Sequence, residues 1–198
     1  MSLNQKHTAL FVCDVQAIFS KVIKNFDAVM DITNKMVQFS KILNLPVLIS
    51  EQNPSSLGNT APEINFNESR LLTEKPIPKT RFSMVNDDVL FALKTSGIRT
   101  VLLVGIETHI CILQTSLELL ENGYEVQIIL DGVSSSHSGH KKTAIEQIKQ
   151  AGGKITTSET VLFQLMSDSS DERFKSFLKY NKEYATKSVN ALDKLTKL

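Results

Sequence analysis

Short apolar runs alternate with amphipathic stretches along most of the chain, and this rhythm restricts the available folds more than any other feature. Residues 8–13 (TALFVC), 46–50 (PVLIS), 100–105 (TVLLVG) and 125–130 (EVQIIL) are nearly unbroken by polar residues, as strands covered on both faces should be. Between them the period is helical. Val29, Ile32, Met36, Phe39 and Leu43 share one face, and Asn44 with Pro46 ends that helix before the second strand. Asp87 to Thr95 reads as a short helix closed by Gly97, Thr108 to Glu121 as one closed by Gly123, and Gly139 to Gln150 as one closed by Gly152 and Gly153. A last short strand is expected near Lys154 to Thr156. Thr156 and Glu159 then have the spacing of a capping box for a helix from Glu159 to Met166. Strand, helix, strand in this order implies parallel pairing through right-handed crossovers, hence a three-layer α/β/α sandwich of Rossmann-like architecture.

At 198 residues the chain suits one domain spanning 1–198, with a helical, lysine-bearing tail from about residue 171. Phe174, Phe177, Leu178 and Tyr184 can dock that tail on the core or on a neighbouring subunit. A net charge of +1, from 22 basic and 21 acidic residues, provides no field to attract nucleic acid or an anionic membrane. Two cysteines, Cys13 and Cys111, exclude a disulfide scaffold and suggest a reducing compartment. With no signal-peptide pattern and no membrane-length apolar run, a cytoplasmic protein is expected, a mitochondrion or other organelle being compatible with the same pattern.

The segment from Gln52 to Pro78 breaks the rhythm. It holds four of the five prolines, Pro54, Pro62, Pro76 and Pro78, and reads as a loop over a pocket leading into KPIPKTRFSM.

Cys111 follows the strand that ends at Gly105, at the start of a helix carrying Leu113, Leu117 and Leu120. Unpaired backbone N–H groups and the positive end of the helix dipole favour thiolate there. Asp14 closes the first strand and Lys79 lies in PKTRF. In an open parallel sheet the carboxyl ends of the strands form the ligand crevice, so Asp14, Lys79 and Cys111 are candidates for one site. A thiolate attacks a carbonyl, Asp14 takes the thiol proton and returns it to the leaving amine, and Lys79 holds Asp14 ionised. Taken singly, each has a plainer reading: a buried structural thiol, a turn residue and a solvated charge. Cys13, next to Asp14 in a strand, should point to the opposite face and into the core. Gln16, Phe19 and Phe82 are candidates for lining the pocket, or for ordinary packing. His109 invites a Cys–His reading, but a lining or structural role suits its spacing better. DGVSSSHSGHKKT lacks both G-x-S-x-G and P-loop spacing and reads as a polar loop capping the next helix.

The segments CDVQAIF, PKTRFSM, LVGIETHICILQTSLELLENGYEV, DGVSS and QAGGKITTSETVLFQLM resemble those of the isochorismatase-like cysteine hydrolases, and among them the isochorismatase domain-containing proteins. The resemblance runs from about Thr8 to about Phe177. It implies a six-stranded, mainly parallel sheet of order 3-2-1-4-5-6, and an Asp14, Lys79, Cys111 triad. It also implies a cis Ile106–Glu107 bond and an oxyanion hole from the N–H groups of Glu107 and Cys111. Metal-dependent relatives carry an Asp-x-His pair after the second strand, whereas Ser50, Glu51, Gln52 and Asn53 stand here. No metal and no cofactor are therefore expected. Retention of Cys111 points to hydrolysis of a small amide, carbamoyl or related carbonyl compound, by a chain expected to form a homo-oligomer. The alternative is a catalytically silent protein that keeps the fold for interaction or small-ligand binding. Nucleic-acid cleavage, suggested only by the lysine-bearing tail, is disfavoured by the balanced charge.

Overall fold

A computed structural model describes residues 3–197. Its strands are β1 (Thr8–Cys13), β2 (Val47–Gln52), β3 (Ile77–Lys79), β4 (Thr100–Ile106), β5 (Glu125–Ser134) and β6 (Lys154–Thr156). They form one all-parallel sheet in the order β3-β2-β1-β4-β5-β6, as the resemblance implied. Every position of β1, β2 and β4 is buried, so their unbroken apolar runs reflect cover on both faces.

The helices are α1 (Phe26–Leu43), α2 (Pro54–Leu57), α3 (Asp87–Thr95), α4 (Leu113–Glu121), α5 (Ser138–Gln150), α6 (Ser158–Met166), α7 (Phe174–Glu183) and α8 (Ala185–Leu195). The apolar face of α1 meets Leu10, Val12, Leu102 and Val104 on one side of the sheet, together with α6, α7 and α8. Residues of α3, α4 and α5 pack against Ala9, Phe11, Cys13, Val101 and Leu103 on the other. Alternation along β1 and β4 thus divides the core into two layers. Among the described residues no helix is long and apolar enough to cross a membrane.

Several elements differ from the sequence reading, each for a local reason. Strand β3, containing Pro78, lies at the sheet edge, where a missing N–H is tolerated. Strand β5 continues to Ser134 because the β4–β5 register shifts between Leu103 and Gly105, bringing Gly105 opposite Val133. Thr157, not Thr156, caps α6, its side chain accepting from the Thr160 N–H, because Thr156 belongs to β6. Of the Gln52 to Pro78 segment, only Gln52, Asn53 and Leu57 line the cavity at the strand ends. Farther on, Ala61 and Ile64 are buried beside α1, and Leu71 bridges to Val47 along β2.

The tail docks on the core of its own chain. Phe177 is fully buried, with its ring 4.7 Å from that of Phe39. Two buried lysines hold the tail from below. Lys35 donates to Ser158 Oγ at 3.3 Å and Ser188 Oγ at 2.9 Å. Lys141 donates to the carbonyls of Leu130, Val133 and Leu195 at 3.0, 2.7 and 2.6 Å.

Candidate active site

The carboxyl ends of β1, β2, β3 and β4 converge on one crevice. Where β1 ends, Asp14 adopts a left-handed φ of 52°, a conformation that aspartate tolerates better than most side chains. This breaks the strand alternation. Cys13 Sγ lies 3.6 Å from Asp14 Oδ2, and both groups lie within 4.8 Å of Cys111 Sγ. Cys13 is fully buried as expected, yet it faces the same side as Asp14 and Cys111 rather than the opposite one.

Gly105, at the end of β4, has φ of 115°, and a Cβ there would collide with the Cys13 backbone. Only glycine lets the two central strands approach so closely at the crevice. The chain then passes through a cis Ile106–Glu107 bond into a π turn, Thr108–Ile112, that presents Cys111 and continues into α4. The Glu107 N–H has no acceptor among the described residues.

Lys79, the last residue of β3, is the hub. Its Nζ lies 2.7 Å from Asp14 Oδ2 and 3.6 Å from Cys111 Sγ. It also donates to Gln52 Oε1 at 2.6 Å and to the carbonyls of Phe82 and Arg81 at 2.9 and 3.2 Å. Side-chain exposures of 7% for Lys79 and 3% for Asp14 make this a buried ion pair. Burial alone would lower the lysine pKa, but Cys13, Asp14 and Cys111 outweigh it and raise the value above the ordinary one. Asp14 Oδ1 accepts from Ser50 Oγ at 2.7 Å. Burial first, then the hydrogen bond with Cys111 and the Asp14 charge, raise the Cys13 pKa well above that of an ordinary thiol. Cys13 therefore stays protonated at neutral pH.

Asp14 and Cys111 line a cavity of about 270 Å³, with the Lys79 ammonium packed against both. Phe19, Leu57, Phe82, Ile106 and Ile110 form its apolar wall. Gln52, Asn53 and Glu107 join Asp14 and Cys111 on the polar side. Phe82, 49% exposed, stands at the mouth. A larger hollow of about 1000 Å³ beside β6, lined by residues such as Gln127, Lys154 and Gln164, contains none of the converging groups.

Of the residues expected here, Asp14, Lys79 and Cys111 come together, with Phe19 and Phe82 in the wall. Gln16 does not line the cavity. It is fully buried, donating to the carbonyls of Gln52 and Gly58 and accepting from the Gln52 N–H, and so ties β1 to β2. Ser50, Gln52 and Asn53, which lack the metal-binding pattern, are site residues that no motif in the sequence singles out. Their place at the carboxyl end of β2 was the available signal.

His109 bonds Ser135 Oγ through Nδ1 at 3.0 Å and stacks on His140 at 4.4 Å. Burial lowers its pKa below the ordinary histidine value, with help from the neighbouring His140 and His137 and against the pull of Glu107, whose Oε2 lies 3.7 Å from Nδ1. Instead of a side-chain cap, the DGVSSSHSGHKKT segment gives α5 a brace for the site: Ser136 N–H donates to Glu107 Oε2 at 2.8 Å. Among the described residues, Cys13, Asp14 and Cys111 form the one close group of metal-ligand types. The Lys79 ammonium sits against that group and opposes a second cation there.

Residues 8–160 match the isochorismatase domain model. The chain is 42% identical over 179 residues to the secreted isochorismatase effector Isc1 of Phytophthora sojae, covering 89% of this chain and 85% of that protein. It resembles a Caenorhabditis elegans structure described as MAR1 ribonuclease, with TM-score 0.83 and 36% identity over 91% of this chain and 92% of the other. It also shares the fold of the Escherichia coli YcaC gene product, described as an octameric hydrolase of unknown specificity, with TM-score 0.83 and 18% identity over 98% and 95% of the two chains.

Proposed function

Since the chain belongs to the isochorismatase family, we propose that it is a single-domain cysteine hydrolase of a small amide, carbamoyl or related carbonyl compound. The supporting observation is the convergence of Cys111 and Asp14 in the lining of one small cavity, with Lys79 against both. Asp14 accepts the Cys111 thiol proton, and the thiolate attacks the substrate carbonyl carbon. The N–H groups of Glu107 and Cys111 hold the developing oxyanion, a contribution worth roughly 10²-fold per donor. Asp14 then protonates the leaving amine, leaving an acyl thioester on Cys111. Water, deprotonated by Asp14, hydrolyses the thioester and regenerates the thiol. Throughout, Lys79 balances the negative charge that passes between carboxylate and sulfur.

The same reading has neither metal nor cofactor, neither nucleic acid nor membrane as partner, and a reducing, cytoplasmic setting. It also includes a homo-oligomer, for which exposed Ile18, Val22 and Phe91 offer apolar surface.

Cys111→Ala tests the proposal. The variant is expected to fold normally and to lose amide hydrolysis by at least ~10³-fold, and an electrophile should label Cys111 of the wild type long before Cys13. Retained turnover in Cys111→Ala would exclude the mechanism.

The ribonuclease description of the worm structure favours a second reading, cleavage of RNA. It predicts RNA degradation that persists through repurification and disappears in Lys79→Met. The small, largely apolar cavity favours the first reading.

A further inference from the structure

Among the described residues, the cations nearest the cavity are already engaged. The Lys79 ammonium faces Asp14 at 2.7 Å and Cys111 at 3.6 Å, with its other contacts to Gln52 and two carbonyls. The Arg81 guanidinium reaches Glu118 at 3.2 Å, its side chain 64% exposed outside the cavity. His109 bonds Ser135 and stacks on His140, and its lowered pKa keeps it neutral at pH 7.

Asp14 and Glu107 are the acidic residues of the lining, which they share with Phe19, Leu57 and Ile110; Lys79 matches the Asp14 charge, whereas Glu107 has only His109 Nδ1 near it as a basic group, 3.7 Å from Oε2. One Glu107 oxygen accepts from the Ser136 N–H, which holds the carboxylate in place. A substrate carboxylate would lose its hydration, find no free cation, and meet the like charge of Glu107. The cavity volume of about 270 Å³ equals roughly nine waters at ~30 Å³ each, so there is little room to retain solvent around such a charge.

We infer that this cavity takes a small acyl amide with an uncharged apolar acyl group and rejects carboxylate-bearing substrates, with Glu107 as a specificity-determining residue. The inference rests on the hydrolase reading for its chemistry but not for its charge rule. It separates this protein from the substrate in the family's name, since isochorismate is a dicarboxylate.

The test uses matched amides: hexanamide, and adipic acid monoamide, in which a carboxylate replaces the terminal methyl. Two readouts are taken, ammonia release by the wild type and protection of Cys111 from iodoacetamide. Hexanamide is expected to exceed its acid twin by at least ~100-fold in kcat/KM and to protect at far lower concentration. In Glu107→Gln the gap should narrow by ~10-fold. If neither amide is hydrolysed but hexanamide alone protects, the hydrolase reading fails and the charge rule stands. Equal or better protection by the acid, or none by either compound, overturns the inference; an unchanged gap in Glu107→Gln removes that residue's role.

Discussion

Two buried clusters in this molecule combine lysine with aspartate, and they differ in whether the two charges touch. At the crevice, Lys79 touches Asp14 at 2.7 Å, and its pKa is raised. Beneath the tail, Asp131 is equally buried, but Lys35 reaches it only through the Ser158 hydroxyl, which donates to Asp131 Oδ2 at 2.6 Å. Lys141 contacts three carbonyls. Burial dominates there: the Lys35 pKa is lowered and that of Lys141 falls to about 7, despite the attraction of Asp131. Desolvation scales with burial and attraction with proximity, so one intervening group reverses the outcome. The direct pair fixes a charge at the site, and the separated one holds a structural joint.

The largest effect should come from breaking the direct pair. Lys79→Met leaves a buried carboxylate without its cation, a loss of about 3–5 kcal/mol in stability. It also removes the ammonium from the Cys111 sulfur, so kcat/KM for the proposed hydrolysis should fall by at least ~10³-fold. Steady-state kinetics and urea denaturation measure both. Near-normal activity would mean that the close contact is dispensable for the chemistry.

Asp131→Asn makes the corresponding change in the other cluster. Asp131 accepts from the N–H and hydroxyl of Ser158 at 2.8 and 2.6 Å, so the α6 start should loosen at a cost of about 1.5–3 kcal/mol. Activity in the folded enzyme should stay within a few-fold of wild type. A loss comparable to that of Lys79→Met would erase the distinction between site and joint.

The two clusters were unequally legible in the sequence, for the same physical reason. Asp14 and Cys111 follow apolar strands, and the strand-end rule together with the family resemblance leads to both of them and to Lys79. That Cys13 and Asp14 share a side was not readable, because Cys13 keeps the strand alternation with Ala9 and Phe11 while the left-handed φ of Asp14 turns that residue out of it. Gln16 looked like a pocket residue by position, but its amide satisfies backbone groups of the β2 end and the loop beyond. The tail joint was hidden more deeply. Hydropathy reads Lys35 and Lys141 as solvated, and only the packed structure reveals the hydroxyls and carbonyls that bury them. Phe177 was a fair guide to docking, though not to which surface it would meet.

The smallest effect is also the most specific to the comparison, because it concerns the sign of a pH slope. Lys79 has a raised folded pKa, so its stabilisation is fully present below the unfolded lysine value and disappears only as pH rises through the folded one. Its contribution between pH 7 and 9 should be flat. Lys141, lowered from 10.5 to about 7, does the opposite. Across the interval between those values the unfolded chain holds a proton that the folded protein has released, so stability rises with pH, by at most about 1.4 kcal/mol per unit. Cys13, whose raised pKa weakens the fold at high pH, and the other groups titrate in wild type and Lys141→Met alike. The difference between the two proteins therefore isolates Lys141. Methionine should cost about 1–3 kcal/mol at pH 9, where the surrounding carbonyls lose the two N–H donors of a neutral amine. At pH 7 the gap should be smaller, since the wild type there still bears the cost of burying a charge. A gap that stays constant from pH 7 to pH 9 in urea titrations would show that Lys141 remains charged, and that neutral oxygens can hold a buried ammonium as firmly as Asp14 holds Lys79.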